Sequence, residues 1–433
     1  MPAIHAAKPR RAVIVAGVRT PFVRAFGDFL KLDAIGLGVA ATRALLAQTE
    51  LAHQHIDAIV WGGVILPSGA PNVGREIALD MGLPPSVEAM TVSRACASGL
   101  QAITLAAAAI ERGEADVVIA GGGDSTSNAE VKVGQRLVHA LAPLALGKKL
   151  GPKEALQVLS QLTPISEILP RKPEIAERST GELMGEACER MAERNGITRE
   201  AQDAFAVESH HKAAAAIASG VLDDELAAVE TAGGPVYADG LVRPDTSVEK
   251  LAKLRPVFAK GGTLTAGNSS PLTDGAGAVL LMSEEAAKAL GYTPLAAFRS
   301  WSYVGVDPAD QLLIGPALSM PQALERAGMT LADMDLVEIH EAFAAQVLCV
   351  TQALASGAFA KARLGRDQAV GEVDPQKLNR WGGSLALGHP FAATGARMVT
   401  TAARALVRED AQTAVLGICA AGGLGAAAVL ERV

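Results

Sequence analysis

Short apolar runs alternate with longer stretches of helical periodicity along most of the chain. Runs of strand length lie at residues 12–16, 58–62, 87–92 and 116–120, and later at 276–282, 295–301, 336–340, 414–419 and 426–430. Helical patterns lie between them, for example at 33–49, 98–112, 199–219 and 394–408. Because strands that alternate with helices build layered sheets, the pattern predicts an α/β protein, with the run at 87–92 as a buried strand.

The order of elements repeats in the two halves of the chain. In the first half, Cys96 precedes a helical pattern, an apolar strand and three glycines at 121–123. In the second half, His389 precedes a helical pattern, a strand and two glycines at 422–423. Two chemically distinctive junctions at matching places predict an ancestral duplication with one active site between the halves. The alternative is the ordinary recurrence of helix, strand and glycine turn in any α/β chain.

Residues 131–178 interrupt this alternation. They hold two short amphipathic patterns, at 137–146 and 155–162, with several prolines, and their eight Lys or Arg and four Glu make them basic within a chain of net charge −7. The pattern predicts an inserted, mostly helical loop region. It divides the chain into a first half at 1–130, completed by about 179–283, and a second half at 284–433. The insertion is expected to dock a partner subunit, to touch an anionic membrane surface as a peripheral contact, or to cover the site as a lid.

Composition narrows the class of protein. The chain has 433 residues, of which 49% are hydrophobic and 20% charged, yet no apolar run approaches the ~20 residues of a membrane-spanning helix. A net charge of −7 argues against a nucleic-acid partner. The four cysteines are widely spaced with no C-x-x-C pair, which favours reduced thiols, a cytoplasmic location and no metal site.

Cys96 is the first candidate catalytic residue. It lies between a strand-like run and the helical pattern at 98–112. The free N–H groups of a helix's first turn stabilise negative charge, so they favour the thiolate, which is the nucleophilic form of cysteine. This position predicts covalent catalysis. The alternative is a cysteine that only packs as a small apolar residue.

Three further residues carry candidate chemistry. His389 follows a glycine-rich stretch and precedes Pro390, which suits an imidazole held rigidly for proton transfer. Cys419 ends a strand before a glycine-rich turn, and His340 follows another strand. The structural alternative for His389 is a histidine that only forms hydrogen bonds, and that for Cys419 is a buried strand-end cysteine. His340 can orient a water or a carbonyl.

Taken together, these motifs resemble the thiolase family. The stretches that carry the resemblance are S-R-A-C-A-S-G at 93–99, H-E-A-F at 340–343, G-H-P-F-A-A-T-G-A-R at 388–397 and C-A-A-G-G-L-G at 419–425. The likeness extends from the turn at Arg19 to the C-terminal strand and is greatest to bacterial fatty-acid-oxidation 3-ketoacyl-CoA thiolases, the branch like the trifunctional β-subunit. His340, where most members have Asn, favours this branch. The resemblance implies a duplicated, five-layered α-β-α-β-α architecture.

The resemblance also implies roles for the site residues. Cys96 would attack the acyl thioester and carry the acyl group. His389 would activate Cys96 and help to stabilise the thioester oxyanion, together with a water held by His340. Cys419 would move a proton to or from the α-carbon of acetyl-CoA. The backbone N–H groups of Cys96 and Ala421 would form the other oxyanion hole.

Substrate contacts follow from the same resemblance. The family usually has Gly at the positions of Ala421 and Ala392. Ser270 would contact the pantetheine arm of CoA, Arg243 would lie near its adenine end, and Met184 would line the acyl pocket. Their structural alternatives are a plain turn, a surface arginine and a core methionine, respectively.

The implied activity is that of an acetyl-CoA C-acyltransferase. It would cleave 3-ketoacyl-CoA with CoA to acetyl-CoA and a shortened acyl-CoA in fatty acid β-oxidation, with CoA as a substrate and no cofactor. The alternative is an acetoacetyl-CoA thiolase (acetyl-CoA acetyltransferase) that works in condensation; a ketosynthase and a non-catalytic acyl-CoA carrier are more distant possibilities. A homodimer or dimer of dimers is expected, with a hydratase/dehydrogenase α-subunit as a possible partner.

Overall fold

Strands and helices alternate along the chain as the apolar pattern predicts. The computed structural model describes residues 10–131, 133–147, 151–161, 169 and 176–433. Within these residues the strands are β1 (Ala12–Arg19), β2 (Val23–Arg24), β3 (Ala58–Gly62), β4 (Glu88–Val92), β5 (Val117–Ser125), β6 (Thr273–Ser283), β7 (Ala296–Gly305), β8 (Leu336–Ile339), β9 (Thr413–Ala420) and β10 (Leu424–Arg432). Every strand predicted from an apolar run is present, and several extend beyond the run.

The helices in the described residues also include those that the periodicity predicts. They are α1 (Ala34–Thr49), α2 (Val73–Asp80), α3 (Ser98–Glu111), α4 (Gln135–Ala145), α5 (Pro152–Gln161), α6 (Met184–Asn195), α7 (Arg199–Ala218), α8 (Val248–Leu251), α9 (Glu284–Ala289), α10 (Pro308–Gln311), α11 (Pro316–Ala327), α12 (Ala344–Leu354), α13 (Gly357–Phe359), α14 (Ser384–Leu387) and α15 (Ala393–Arg408). Short 3₁₀ turns lie at His53–His55 and Leu331–Asp333, and a π-helical turn at Ala360–Leu364. No helix in these ranges is long and apolar enough to cross a membrane.

The strands form a mixed sheet in two parts. Their order is β4-β3-β5-β6-β1-β7-β10-β9-β8, and β2 pairs with β6. The junction between the parts is short, because β1 and β7 share two residue pairs, Val13 with Ala297 and Ile14 with Ala296. Within the parts, β3 runs parallel to β4 and β5, and β8 runs parallel to β9. The remaining pairs are antiparallel.

Three apolar clusters show how helices cover this sheet. The central cluster joins α3 and α15 to β5 on one side and to β9 and β10 on the other. A second cluster packs α1 and α2 on the opposite face of the first part. A third, called the outer cluster below, packs α6, α11 and α12 on the opposite face of the second part. The layers are therefore helix, sheet, helix, sheet, helix, which is the predicted α-β-α-β-α arrangement.

The two central helices touch through their backbones. A Cβ at Gly395 in α15 would lie 2.9 Å from Gly99 C and closer still to Leu100 N, both in α3. A Cβ at Gly99 would lie 3.1 Å from Ala396 N and closer still to Ala392 O. Such separations leave no room for a side chain. The starts of the two helices, which follow Cys96 and His389 in the chain, are thereby held together.

The prediction of a buried strand at 87–92 is wrong in its burial. The strand is present as β4, but its residues are exposed or half-buried. It lies at the end of the sheet and pairs with β3 alone among the described strands. An apolar run therefore marks the strand but not its edge position, which depends on topology.

Residues 129–175 form a compact unit of their own. The described part of this unit contains α4 and α5, close to the predicted amphipathic patterns at 137–146 and 155–162. Residues 132, 148–150, 162–168 and 170–175 lie outside the described residues, and with them several of the basic residues and prolines on which the prediction of an inserted loop region depends. From Ala176 onward the chain packs with the main unit.

Candidate active site

Cys96 lies in a tight turn between β4 and α3. The residue before it, Ala95, has a positive φ of 45°, a conformation that non-glycine residues rarely adopt. Ser98 stabilises the turn: its Oγ accepts a hydrogen bond from the N–H of Arg94 at 2.7 Å and donates one to the carbonyl of Ala95 at 2.6 Å. The turn leaves Cys96 half-buried. Backbone strain at this position is typical of residues that are held for a function.

Two imidazoles lie against this thiol. The rings of His340 and His389 have centroids 4.1 Å apart, tilted by 46°. The Cys96 sulfur and one ring nitrogen from each histidine all lie within 4.8 Å of one another. His389 is held by its N–H, which donates to Thr273 Oγ1 at 2.9 Å, and by its Nδ1, 2.6 Å from Thr394 Oγ1. Cys96, His340 and His389, which are far apart in the sequence, are therefore neighbours in the folded protein.

His340 is oriented by a buried polar chain. Its Nδ1 lies 3.0 Å from Ser384 Oγ. Arg397 of α15 donates through Nη2 to the same hydroxyl at 3.2 Å and through Nη1 to Glu338 at 3.4 Å. Burial raises the pKa of Glu338 to about 7, although the charge of Arg397 opposes this. The orientation of the His340 ring is thus fixed by buried hydrogen bonds on the side that faces the protein core.

Both imidazoles are neutral at physiological pH. Burial, and then the charge of Arg397, lowers the pKa of His389 to about 3. Burial, His389 and Arg397 hold the pKa of His340 well below its usual range. Neither Nε2 atom has a hydrogen-bond partner among the residues that the structure describes. Each histidine can therefore present a nitrogen with a free lone pair to the thiol.

Backbone N–H groups favour the thiolate form of Cys96, as expected, but burial outweighs them in the resting protein. Burial raises the pKa of Cys96 to about 12, and the charge of Asp124 adds to this. The backbone N–H groups of Ala421 and of Cys96 itself bond toward the sulfur and lower the pKa, but less than burial raises it. The thiol is therefore protonated at rest and needs a base, which the neighbouring imidazoles can supply.

Asp124, at the end of β5, is a site residue that the sequence analysis missed. Its Oδ1 accepts hydrogen bonds from the N–H groups of Val64 at 2.8 Å and Ile65 at 2.6 Å, and its Oδ2 accepts one from Ala392 at 2.9 Å. It is fully buried, and burial raises its pKa to about 7. An acidic residue directly after three strand glycines was the available signal. Its bonds tie the start of α15 to the first half of the sheet.

Cys419 precedes by two residues Ala421, whose backbone N–H bonds toward the Cys96 sulfur. Cys419 is near the end of β9 and almost fully buried. Burial, together with the charge that Cys96 carries as a thiolate, raises the pKa of Cys419 well above its ordinary value. Cys188 and Cys349 are buried in the outer cluster.

The turn after Cys419 accommodates alanine without strain. Ala421 does not have a positive φ; Gly422 and Gly423 do, at 84° and 65°. Ala392 is also unstrained, with φ −63°. The turn is braced by Glu177, whose Oε2 accepts a hydrogen bond from the N–H of Gly422 at 2.9 Å.

Glu177 is itself held in place. Its Oε1 accepts hydrogen bonds from the N–H of Ser179 at 3.0 Å and from its hydroxyl at 2.7 Å. These bonds lower the pKa of Glu177, so the carboxylate is ionised. Its position next to Gly422 was not evident from sequence, where it lay inside the predicted insertion.

None of the three expected substrate contacts belongs to the cysteine–histidine cluster. Ser270 is half-buried, and its N–H donates to the carbonyl of Ala342 at 3.0 Å, next to the turn that follows His340. Met184 begins α6 and packs against the outer cluster that contains Cys419. Arg243 is exposed, and its backbone N–H donates to Nδ1 of His210 in α7.

The low pKa of His389 gives a stability signature. Since the unfolded chain binds a proton near pH 6.5 and the folded one near pH 3, the contribution of a neutral His389 is complete above pH 6.5 and lost as the pH falls through this window. The stability difference between wild type and His389→Gln should therefore shrink by about 2 kcal/mol from pH ~7 to pH ~5. Urea unfolding at both pH values measures it. A stability difference that stays constant between the two pH values would mean that the folded and unfolded chains bind the His389 proton equally, which would contradict the low pKa.

Comparison with known proteins agrees with this geometry. The thiolase N-terminal domain family matches residues 12–285, and the thiolase C-terminal domain family matches residues 292–432. A 3-ketoacyl-CoA thiolase of Shewanella baltica is 45% identical over 431 residues, which is 98% of both chains. The crystal structure of human mitochondrial 3-ketoacyl-CoA thiolase aligns with a TM-score of 0.82 and 33% identity, covering 99% of this chain and all of that one. The acetyl-CoA acetyltransferase of Bacillus anthracis aligns with a TM-score of 0.82 and 32% identity, covering 98% of this chain and 99% of that one.

Proposed function

The chain belongs to the thiolase family, and from this membership we propose that it cleaves 3-ketoacyl-CoA with CoA, releasing acetyl-CoA and a shortened acyl-CoA. The observation that carries the proposal is the cluster of one thiol and two neutral imidazoles, whose three ligand atoms lie within 4.8 Å of one another. CoA enters as a substrate rather than as a resident cofactor. The pathway served would be fatty acid β-oxidation.

The first half-reaction is carbon–carbon cleavage. His389 takes the proton of Cys96 while the sulfur attacks the 3-keto carbon; because the thiol is protonated at rest, proton transfer accompanies the attack. The bond between carbons 2 and 3 then breaks, which leaves the shortened acyl group on Cys96 and an acetyl-CoA enolate. Cys419 donates its proton to that enolate, and acetyl-CoA leaves.

The second half-reaction regenerates the enzyme. The Cys419 thiolate takes the proton of the incoming CoA thiol, whose sulfur attacks the acyl thioester. Acyl-CoA departs, and the Cys96 sulfur regains its proton from His389. The N–H groups of Cys96 and Ala421 stabilise the tetrahedral intermediates, while His389 and a water oriented by His340 stabilise the enolate oxygen. Every proton is returned by the end of the cycle.

Sequence similarity to known proteins favours cleavage over condensation, whereas structural similarity does not distinguish the two reactions. The two solved structures bear the names of the two activities and align equally well, each with a TM-score of 0.82. The 45% identical relative, however, is named a 3-ketoacyl-CoA thiolase and matches over 98% of this chain. This supports the degradative reaction on longer acyl chains.

A substrate series tests the proposal. The purified enzyme should cleave four-carbon and sixteen-carbon 3-ketoacyl-CoA in the presence of CoA, with kcat/KM at least as high for the longer substrate. Release of acetyl-CoA is measured by chromatography. Activity confined to the four-carbon substrate would favour the acetyl-CoA acetyltransferase alternative, and no cleavage of either substrate would contradict the proposal as a whole.

An assembly is part of the same proposal. The edge strand β4 supports a homodimer, because it pairs with β3 alone among the described strands and its outer side can pair with another chain. The separate unit at 129–175 supports a partner-docking role, with a hydratase/dehydrogenase subunit or an anionic membrane as its target. Light scattering measures the oligomer, and loss of co-purification or liposome binding on deletion of 140–170 tests the docking role.

Glu177 should affect turnover more than substrate binding. Truncation in Glu177→Ala removes the acceptor of the Gly422 N–H and loosens the turn that carries Ala421. We expect kcat to fall about tenfold with KM nearly unchanged, a smaller loss than removal of an oxyanion-hole donor itself. Steady-state kinetics measures both. Glu182→Ala is the matched control, because the Glu182 side chain pairs with Arg190 instead and should leave kcat unchanged. An increase in KM alone would refute the role assigned to Glu177.

A further inference from the structure

The cluster of Cys96, His340 and His389 has the geometry of a metal site. Its three potential ligand atoms all lie within 4.8 Å of one another. His340 is 0% exposed and His389 is 6% exposed, and the Nε2 atom of each lacks a hydrogen-bond partner among the described residues. Two buried, unpartnered lone pairs beside a thiol form an environment that a cation can satisfy.

The chemistry of these ligands selects the kind of ion. One thiol and two imidazoles suit a soft or borderline ion such as zinc, whereas magnesium and calcium prefer oxygen ligands. Asp124, whose charge acts on Cys96, already accepts hydrogen bonds from three backbone N–H groups. Three protein ligands with a fourth position open is a coordination that zinc commonly adopts.

The hydrogen bonds at the Nδ1 atoms of the two histidines also favour metal binding through their Nε2 atoms. Ser384 Oγ lies 3.0 Å from Nδ1 of His340, and Thr394 Oγ1 lies 2.6 Å from Nδ1 of His389. In the tautomer in which each Nδ1 donates to its hydroxyl, each Nε2 keeps its lone pair. Metal-bound histidines are usually held in this way through the nitrogen that does not bind the metal.

We infer that Cys96, His340 and His389 bind zinc reversibly and that zinc inhibits the enzyme. Binding forms one bond from the metal to sulfur and one to each Nε2, and the thiol proton is released to solvent. Metal bonds of ~2.0–2.3 Å place tetrahedral ligand atoms roughly 3.5 Å apart, so the three side chains must move closer together. This movement and the open fourth position make the site weaker than a closed four-ligand zinc site. Acylation of the sulfur removes one ligand, so substrate protects against zinc.

Cobalt(II) tests the site directly. The full chain is freed of metal with a chelator and titrated with cobalt, and the thiolate-to-cobalt charge-transfer absorption is recorded. The band should appear in the wild type, disappear in Cys96→Ser and persist in Cys419→Ser, since Cys419 lies outside the cluster. A wild type without the band, or Cys96→Ser with it, overturns the inference.

Zinc titration tests the histidines and the inhibition. By calorimetry, His340→Asn should raise the Kd for zinc at least about tenfold through loss of one ligand. Unchanged affinity in this variant overturns the inference. Zinc should abolish thiolysis in the wild type, and excess chelator should restore it. The inhibition rests on the proposed function, but the cobalt band and the calorimetry do not, so a chain that fails to cleave 3-ketoacyl-CoA would still give a result on the metal site.

Discussion

Replacing Cys96 with alanine should lower kcat/KM for 3-ketoacyl-CoA cleavage by at least ~10⁴-fold. The substitution removes the sulfur that accepts the acyl group, while both imidazoles remain in place. Mass spectrometry of the wild type after mixing with substrate, without CoA, should show one acyl adduct on the peptide that contains Cys96. The variant should show none.

Cys349→Ala is the matched control for this result. Cys349 is also buried, but it packs in the outer cluster and its sulfur bonds to the carbonyl of Met191 at 3.6 Å. Its truncation should lower the free energy of unfolding by about 1 kcal/mol and leave the rate unaffected. An acyl adduct in Cys96→Ala, or a rate near that of the wild type, would remove the basis of the proposed mechanism.

The second large effect is expected at Gly395. A Cβ there would lie 2.9 Å from Gly99 C and closer still to Leu100 N, and both neighbours are backbone that cannot turn aside. Gly395→Ala should therefore lower the free energy of unfolding by about 3 kcal/mol or more, because it forces α3 and α15 apart. Chemical denaturation measures the loss. The surviving folded enzyme should also be slower, because α3 follows directly on the turn that holds Cys96.

Gly36→Ala provides the comparison. Gly36 is the third residue of α1, as Gly395 is of α15, but its added Cβ would meet Asp33 Oδ1 at 3.4 Å, an ordinary contact. Alanine should stabilise this helix by about 0.5–1 kcal/mol. If the two variants were equally stable, the contact between the central helices would not be as close as the structure indicates.

Much of the fold could be predicted from the apolar pattern. The strand at Ala58–Gly62 has the predicted bounds, and α1, α3, α7 and α15 begin or end within one residue of their predicted limits. Periodicity succeeds here because these segments bury a continuous face against a sheet. It failed for the burial of β4, because whether a strand lies at an edge is decided by the order of strands in the sheet.

The candidate site was predictable only in part. The chemically distinctive residues Cys96, His340, His389 and Cys419 could be selected because each lies at a strand or helix end. The charge state of Cys96 could not be predicted, because it depends on how far burial outweighs the nearby N–H dipoles. Sequence gave no indication of Glu177 either, since its partner Gly422 is 245 positions away along the chain.

The contact between the two central helices also has an evolutionary consequence. Cys96, the proposed nucleophile, precedes α3 in the first half of the chain, and His389, the proposed base, precedes α15 in the second half. The two helices meet backbone to backbone at Gly99 and Gly395. A mutation that displaces either helix therefore also disturbs the packing of the helix in the other half. Substitutions at this helix–helix contact should therefore occur in correlated pairs as the protein evolves. Neither half should be catalytically active without the other.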